Sequence, residues 1–338
     1  MAKPSSETSK FTRFGLIGAG AIAQQAYLPA LARLSNIRLE AVVDSNLQSL
    51  AYLSKKYQLA YLGDDIAESL KYVDAVIVAT PNYLHFPISK TCLEAGKHVL
   101  CEKPITISSL ECDELIHLAN KYSLKLTVAH TRRFYEAAKR IKQIVITEEL
   151  GKIKSFDFEE GTVFAWPTVS GFFFDKKKAG GGVLMDIGVH VLDLLFWWFP
   201  YEVVNVECQD DNLGGVEAFT KIKIRLSNGI KGNVTLSRLS VLKNGYRLHF
   251  EKGNIEWNPL VPKRLRINYG TKISKKVIKI KKESPVDDLL SDFVDVIEND
   301  RRPLASADDG LKVMQLIERC YRSRELLPLE WLKTKENS

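Results

Sequence analysis

Short, almost continuous apolar segments alternate with amphipathic ones over the first part of the chain. The apolar runs are typical of buried parallel strands, and they cover residues 14–17, 39–44, 73–80 and 124–129. Amphipathic stretches with the period of a helix lie between them, at residues 21–34, 48–57, 88–95 and 108–122. Because strand and helix alternate, we predict an α/β domain over residues 11–131, with a doubly wound parallel sheet and helices on both faces.

A different pattern begins at about residue 132. After a basic helical stretch at 136–147, apolar and polar residues alternate with period two, at residues 153–159, 203–207, 219–226, 232–239, 246–251 and 263–267. Consecutive strands without helices between them indicate an antiparallel sheet, and Ser227-Asn228-Gly229 marks a hairpin turn. The lysine-rich segment 275–282 is predicted as a solvated edge strand, and amphipathic helices follow at 287–298 and 308–323. We therefore predict a second α/β domain over residues 132–330.

The first apolar run leads directly into Gly18-Ala19-Gly20-Ala21-Ile22-Ala23, a Gly-x-Gly-x-x-Ala turn that opens the first helix. Gly18 permits the tight turn, and Gly20 lets the backbone approach a pyrophosphate, which would lie on the helix N-terminus. Asp44 ends the second strand 24 residues after Gly20, where a carboxylate can accept both ribose hydroxyls and would repel a 2′-phosphate. No Lys or Arg follows before Lys55, so the pattern predicts NAD and makes NADP the weaker alternative.

The composition is that of a globular protein with two domains. The chain has 338 residues, of which 45% are hydrophobic and 26% charged. Its net charge of +7 suits anionic ligands or a solvated surface, but nothing resembles a nucleic-acid recognition helix or an aromatic RNA platform. We therefore predict no nucleic-acid partner.

The cysteine pattern and the hydropathy of the chain indicate the cellular compartment of the protein. The five cysteines include no Cys-x-x-Cys pair, which argues for reduced thiols and against structural zinc. Residues 1–10 are polar and lack the apolar core of a signal peptide, and the apolar run 194–200 is too short to span a bilayer. These features predict a cytoplasmic protein that does not enter a membrane.

A second stretch that contains candidate catalytic residues runs from Gly180 to Asp193. At about 100° per residue, Asp186, His190 and Asp193 fall on one helical face, and the opposite face is apolar. A carboxylate one turn from His190 can orient the ring and raise its proton affinity, as a general base near neutral pH requires. A packing histidine is the alternative interpretation. The three residues could also ligate an ion, but no His-x-x-x-His or cysteine cluster accompanies them, so we predict no metal.

Lys103 is the other candidate for proton chemistry. It follows a predicted strand, between Glu102 and Pro104, at the carboxyl edge of the sheet where a nicotinamide would lie. Lysine at its ordinary pKa of about 10.4 is a poor partner for proton transfer, but partial burial beside an oxidised nicotinamide would lower that pKa. A surface lysine at a strand end is the alternative interpretation.

Four ordered motifs together resemble the glucose-fructose oxidoreductase / inositol dehydrogenase (Gfo/Idh/MocA) family, and they lie at residues 18–23, 79–85, 95–104 and 180–190. The segment 292–323 is similar to the C-terminal part of the family, so the resemblance covers nearly the whole chain. It implies a Rossmann domain followed by an α/β domain with a large, mostly antiparallel sheet, which often forms homodimers or homotetramers. By similarity, Lys103, Asp186 and His190 are the catalytic set, and Asn82 lies beside the nicotinamide.

The other predicted ligand contacts come from these motifs and from three residues outside them, Asp44, Arg133 and Trp166. The cofactor contacts are Gly18, Gly20, Ala21, Ile22, Asp44, Thr80, Pro81, Asn82, His85 and Glu102. The predicted substrate contacts are Arg133, Trp166, Asp186 and His190. Many relatives carry Asn where this chain has Thr131, at a strand end that faces the crevice, so the family's substrate contacts are not carried over to this position. The aromatic segment 161–178 suits a sugar ring or a nucleotide base, and packing or a subunit interface explains it equally well.

These features predict an NAD-dependent oxidoreductase acting on a secondary alcohol of a sugar, sugar nucleotide or cyclitol, or on the matching ketone. His190, oriented by Asp186, would take the hydroxyl proton while Lys103 binds the same oxygen, and the sequence leaves open which of the two accepts the proton. The alternatives are a non-enzymatic NAD-binding sensor and a glycosidase that oxidises and re-reduces its sugar with bound NAD. The sequence does not specify the substrate, the direction of reaction, the oligomer size or whether the cofactor leaves between turnovers.

Overall fold

A six-stranded sheet organises the first half of the fold. In the computed structural model, which describes residues 11–167, 171–270, 275–279 and 284–328, its strands are β1 (Thr12–Ile17), β2 (Ile37–Val43), β3 (Tyr61–Gly63), β4 (Ala75–Val78), β5 (His98–Cys101) and β6 (Leu126–Val128). All neighbours are parallel, in the order β3-β2-β1-β4-β5-β6. This order confirms the predicted doubly wound sheet. It reverses between β1 and β4, so a crevice opens at their carboxyl ends.

Five helices connect these strands. They are α1 (Leu28–Leu31), α2 (Leu47–Ser54), α3 (Ile66–Ser69), α4 (Asn82–Glu94) and α5 (Ser109–Lys121). Side-chain caps set three of the starts, because Asn46 accepts from the backbone N–H groups of residues 48 and 49, Asp65 accepts from that of Glu68, and Ser108 accepts from that of Leu110. Helix α4 begins at Asn82, earlier than the predicted start at 88, and continues through Pro87. Asn82, which follows the short loop after β4, is therefore the first residue of a helix.

A nine-stranded sheet organises the second half. Its strands are β7 (Ile153–Gly161), β8 (Val203–Asp210), β9 (Phe219–Leu226), β10 (Lys231–Ser237), β11 (Gly245–Phe250), β12 (Gly253–Trp257), β13 (Arg264–Tyr269), β14 (Lys275–Lys279) and β15 (Arg324–Leu326). The order is β14-β13-β12-β11-β7-β10-β9-β8-β15, and within the described strands of this second sheet only the β7–β10 and β8–β15 pairs are parallel. This confirms the mostly antiparallel sheet. The prediction missed the short strands β3, β12 and β15, and residues 1–10 and 280–282 lie outside the described residues.

The remaining helices are α6 (Glu136–Ile146), α7 (Lys176–Ala179), α8 (Val189–Trp198), α9 (Pro285–Glu298) and α10 (Ala307–Arg322). The predicted apolar face of α8 is buried, and Trp198 packs edge-on against Phe158 and Trp257 of the second sheet. Within the described part of the chain, one helical stretch, Lys176–Trp198, is long and apolar enough to cross a membrane. Since 72% of its most apolar window is buried inside the protein, it has the character of a core helix.

Helix α9 packs against the first sheet although it lies within the predicted second domain, 132–330. Phe293 meets Phe14 of β1 edge-on, with ring centroids 6.0 Å apart. Leu289, Leu290 and Val294 belong to the same buried apolar cluster. The chain therefore returns to the first sheet after completing most of the second.

Two wider π-helical turns interrupt predicted α-helices. One, Ala23–Tyr27, precedes α1, where Pro29 lacks the N–H that a regular α-helix would use. The other, Leu184–Gly188, leads into α8. Because this turn holds more residues than an α-helical turn, Asp186 is rotated relative to the residues of α8, and the spacing of 100° per residue does not hold there.

Candidate active site

The glycine turn after β1 has the backbone geometry that a dinucleotide needs. Gly18 has a φ of +95°, and a Cβ there would lie 2.4 Å from the carbonyl oxygen of Ala79. Only glycine fits this position. At Gly20, by contrast, no heavy atom lies within 4 Å of an added Cβ, so the turn faces open space through which a pyrophosphate can approach. Ala21 and Ile22, the first helical residues, are partly exposed at the same place.

The carboxylate of Asp44 lies against this turn. Its Oδ2 accepts a hydrogen bond from the N–H of Ala19 at 2.6 Å, and its Oδ1 accepts one from Asn46 at 2.7 Å. Asp44 is partly exposed, directly after β2. The predicted partner of the ribose hydroxyls is thus held beside the predicted pyrophosphate position, and the residues present fit NAD.

The loops after β4 and β5 bring the other predicted cofactor residues together. His85 is buried, and its Nδ1 and Nε2 lie 2.6 Å and 2.8 Å from the carbonyl oxygens of Pro104 and Thr80. Burial lowers the pKa of His85, and the neutral ring donates to one of these oxygens. Asn82, which follows Pro81, donates from Nδ2 to the carbonyl oxygen of Ala179 at 2.8 Å. These contacts join the end of β4 to the end of β5 and to α7.

Glu102 connects the glycine-turn helix to the lysine motif. Its Oε1 accepts from the hydroxyl of Tyr27 at 2.7 Å, and its Oε2 accepts from the backbone N–H of Lys103 at 3.0 Å. Burial raises the pKa of Glu102. The Lys103–Pro104 peptide bond is cis, as the resemblance implies.

Lys103 reaches across from the first sheet to the segment before α8. Its Nζ donates to Asp186 Oδ1 at 2.9 Å and to the Asp186 carbonyl oxygen at 3.0 Å. The guanidinium of Arg238, at the end of β10, donates to the other carboxylate oxygen, Oδ2. Burial alone would raise the pKa of Asp186, but the two cations outweigh it and lower the pKa. One carboxylate is therefore shared by two cations, one from each sheet.

His190 lies beside this cluster, but its environment differs from the predicted one. The predicted acid, Asp186, faces Lys103 and Arg238, and the pKa of His190 is not raised. Burial lowers that pKa well below its ordinary value, and the positive charges of Arg132 and Lys103 lower it further. His190 is therefore a neutral imidazole near neutral pH, which is the form that can accept a proton. Its Nδ1 is buried without a hydrogen-bond partner among the described residues.

Two family models match the chain over most of the structure described above. Residues 12–130 match the oxidoreductase family with an NAD-binding Rossmann fold, and residues 138–256 match the Gfo/Idh/MocA C-terminal domain. D-Glucoside 3-dehydrogenase of Escherichia coli is 30% identical over 259 residues, which cover 75% of this chain and 71% of that protein. The chain belongs to the Gfo/Idh/MocA family. The predicted family and its NAD cofactor are thereby confirmed.

Other members of the Gfo/Idh/MocA family resemble the chain in sequence and in structure. Glucose-6-phosphate 3-dehydrogenase of Bacillus subtilis is 28% identical over 246 residues, 68% of each chain. The crystal structure of aldose-aldose oxidoreductase from Caulobacter crescentus, complexed with glycerol, superposes with a TM-score of 0.85 at 26% identity, covering 93% of this chain and 97% of that one. The similarity therefore extends over both sheets.

Two residues that the sequence placed at the site of this Gfo/Idh/MocA protein lie in its interior instead. Asp193 and Arg133 are 1% and 2% exposed, and the guanidinium donates three hydrogen bonds to the carboxylate, at 2.6–3.1 Å. Arg133 also donates to the carbonyl oxygen of Leu304 and to Asp309. These hydrogen bonds place Arg133 in a structural role, and its predicted substrate contact stays a prediction. The π-helical turn rotates α8 relative to Asp186, so Asp193 does not share a face with Asp186 as a regular helix would predict.

Arg132 and Arg238 are charged residues near the site that the sequence did not single out. Arg132 is held by Glu160 at 2.6 Å and 2.7 Å and by the hydroxyl of Tyr246 at 2.5 Å. The sequence shows a pair of arginines after a strand, but it does not show which of the two faces His190. No sequence signal pointed to Arg238, which lies 52 residues beyond its partner Asp186.

The aromatic segment is partly assembled beside Arg238. The ring of Phe164 packs edge-on against Phe173 and Phe174, with centroids 5.5 Å and 5.2 Å apart. Trp166 is 40% exposed, and residues 168–170 of the segment lie outside the described residues. Within the described residues, no group of three or more His, Cys, Asp and Glu side chains is placed to hold a metal ion.

Proposed function

We propose that the chain transfers a hydride between NAD and a secondary alcohol, or the matching ketone, of a sugar, sugar nucleotide or cyclitol. The observation that carries the proposal is the convergence of Lys103, Asp186 and His190 at the carboxyl edge of the first sheet, on the same edge as the glycine turn. Relatives named as dehydrogenases of glucosides and of glucose 6-phosphate support the carbohydrate substrate.

The residues that would hold NAD are the glycine turn, Asp44 and the loops after β4 and β5. When bound, NAD supplies the acceptor for a hydride from the substrate carbon. Gly18 and Gly20 leave the backbone free to meet the pyrophosphate, and Asp44 suits the ribose hydroxyls. Thr80, Pro81, Asn82, His85 and Glu102 shape the edge against which the nicotinamide would lie.

Lys103 and His190 divide the proton chemistry at the substrate hydroxyl. Lys103 is paired with Asp186, so its Nζ is positioned to donate a hydrogen bond to the substrate oxygen and to stabilise negative charge developing there. His190 is neutral because of its burial, and its buried Nδ1 has no hydrogen-bond partner among the described residues, so we assign it as the acceptor of the hydroxyl proton, although its lowered pKa makes it a weaker base than the sequence predicts. In oxidation, the proton of the hydroxyl passes to His190. In the reverse direction the same proton returns to the oxygen.

Two alanine variants test this assignment. Lys103→Ala and His190→Ala are each expected to lower turnover by about 10² or more and to leave NAD binding nearly unchanged. Lys121→Ala and His117→Ala, at exposed positions of α5, are matched controls expected to keep full activity. Turnover is followed by the absorbance of NADH with a panel of sugars, cyclitols and nucleotide sugars. Unchanged turnover in both active-site variants would contradict the assignment.

The same panel separates the alternative functions. Bound NAD that no member of the panel reduces would favour a sensor, and cleavage of aryl glycosides without net reduction of NAD would favour a glycosidase. NADPH binding more tightly than NADH would overturn the role given to Asp44.

We also propose that the protein is cytoplasmic and forms a homodimer or homotetramer. All five cysteines are buried free thiols, which suits a reducing compartment. Sedimentation velocity at micromolar concentration measures the assembly, and a monomer over that range would contradict it.

A further inference from the structure

Arg238, directly after β10, reaches the candidate active site from the second sheet. Its guanidinium donates to Oδ2 of Asp186, while Lys103 Nζ donates to Oδ1 at 2.9 Å. Both oxygens of the carboxylate are therefore occupied by cations. The side chains of these three residues are 18–23% exposed, so water and salt screen their charges less than at an open surface.

The position of Arg238 is fixed by neighbours other than Asp186. Its backbone N–H donates to the carbonyl oxygen of Ala218 at 2.7 Å, and its carbonyl oxygen accepts from the N–H of Phe164 at 3.0 Å. Its Nη1 donates to the hydroxyl of Thr162 at 3.3 Å, and its guanidinium carbon lies 5.6 Å from the ring centroid of Phe164. The guanidinium is thus held in place to receive the carboxylate.

His190 is the group that this arrangement affects. The sequence places Asp186 one helical turn from the ring, yet Nδ1 of His190 is buried without a hydrogen-bond partner among the described residues. With both of its oxygens engaged, the carboxylate is not available to orient the imidazole. The residues whose charges lower the pKa of His190 are Arg132, Lys103, His130 and Arg238. His130 has a pKa of about 4, so near neutral pH only the three cations are charged, and Arg132 is paired with Glu160 of β7.

We propose that Arg238 is a positioning residue of this site, which turns Asp186 toward Lys103 and keeps the carboxylate from bonding to His190. This inference rests on the proposed function, in which His190 accepts the hydroxyl proton. Its consequence is that His190 stays a neutral imidazole in mildly acidic solution. Lys103 and Arg238 also share a single carboxylate, and positive charge beside the reacting oxygen stabilises an alkoxide as the proton leaves.

Three substitutions of Arg238 test the inference through the pH dependence of turnover. Arg238→Gln keeps an N–H donor without the charge, Arg238→Met removes both, and Arg238→Lys keeps the charge. The acidic limb of kcat/KM, measured with a sugar that the wild type oxidises, reports the pKa of the base in the free enzyme. Because loss of a nearby cation raises the proton affinity of His190, both neutral variants are expected to move this limb to higher pH by about one unit or more. Arg238→Lys is expected to keep the limb near its wild-type position.

Arg247→Met is the matched control. Arg247 lies on β11, its side chain is 30% exposed, and it is paired with Glu159 and Glu256, so this variant removes the same charge from the second sheet without a change at Asp186. It should keep the wild-type limb. A raised KM for the sugar in the neutral Arg238 variants, with an unmoved limb, would overturn the inference, because it would make Arg238 a substrate contact.

A second measurement needs no turnover. Histidine labelled with ¹³C in the ring gives an NMR signal for each of the six histidines, and His190→Gln identifies that of His190. In the wild type it should titrate well below pH 6.5, and in Arg238→Gln and Arg238→Met it should titrate about one unit or more higher. An unchanged titration in both variants would overturn the inference and leave the proposed function standing. If no sugar of the panel reduces NAD, the proposed function falls, and the titration still decides whether Arg238 keeps the carboxylate from His190.

Discussion

Replacing Arg133 by methionine tests whether this residue stabilises the interior or contacts the substrate. Arg133→Met keeps most of the aliphatic stem and removes the guanidinium. The carboxylate of Asp193, 1% exposed, would then lose all three hydrogen bonds that Arg133 donates to it. An unpaired buried charge of this kind costs about 3–5 kcal/mol of the free energy of unfolding.

The structure indicates that Asp193 dominates this loss. Asp309 also loses Arg133, but its side chain is 18% exposed and it accepts hydrogen bonds from Ser306. His130 is the other group near Asp193, with Nε2 at 3.4 Å, and burial lowers its pKa to about 4, so it supplies no positive charge near neutral pH. The double variant Arg133→Met, Asp193→Leu removes both charges and should recover stability to within about 1–2 kcal/mol of the wild type.

Urea unfolding followed by tryptophan fluorescence measures both variants, together with the melting temperature. For a chain of this size a loss of about 3–5 kcal/mol should lower the melting temperature by about 4–7 °C. The double variant should keep the wild-type KM for whichever sugar the enzyme uses. A single variant as stable as the wild type would refute the buried-pair argument, and a KM raised tenfold in the double variant would show that Arg133 contacts the substrate.

Two more predictions follow from the cofactor turn and from the buried histidine. Gly18→Ala should weaken NAD binding at least tenfold, because its φ of +95° disfavours alanine and the added Cβ would meet the Ala79 carbonyl at 2.4 Å, whereas Gly214→Ala, also at positive φ but in open space, should bind NAD normally. Titration of protein fluorescence with NADH measures both. The unfolded chain binds a proton at His130 near pH 6.5 and the folded chain only near pH 4, so folding stability should fall by about 3 kcal/mol as the pH drops between these values. His130→Gln should remove this contribution and leave those of the buried His85 and His190, so the slope of stability against pH should decrease in unfolding experiments across pH 4–7, and an unchanged slope would contradict the assignment.

The sequence by itself determined the features that depend on neighbours along the chain. The alternation of apolar strands and amphipathic helices predicts the first sheet, since parallel strands are buried on both faces. The glycine turn requires backbone freedom at Gly18 and open space at Gly20, and both are properties of residues a few positions apart. Lys103, Asp186 and His190 were identified because each belongs to a short motif whose spacing is set by one turn or one strand.

Only the tertiary structure decided which charges meet. Asp186 is paired with Lys103, which precedes it by 83 residues, and with Arg238, which follows it by 52. Arg133 and Asp193 are joined in the interior although the helical periodicity placed Asp193 beside His190. A single π-helical turn before α8 rotates Asp186 relative to His190 and Asp193, which both lie in α8, and periodicity at 100° per residue does not detect such a turn.

The direction in which the pKa of His190 is shifted shows the same division between what the sequence determined and what the tertiary structure decided. The sequence places a carboxylate one turn away, which would raise that pKa, whereas the folded chain buries the ring and gathers Arg132, Lys103 and Arg238 around it, which lowers it. Electrostatic effects depend on distance and burial in three dimensions. The residue types at the site follow from the sequence, and their protonation states follow from the packing of the two sheets around it.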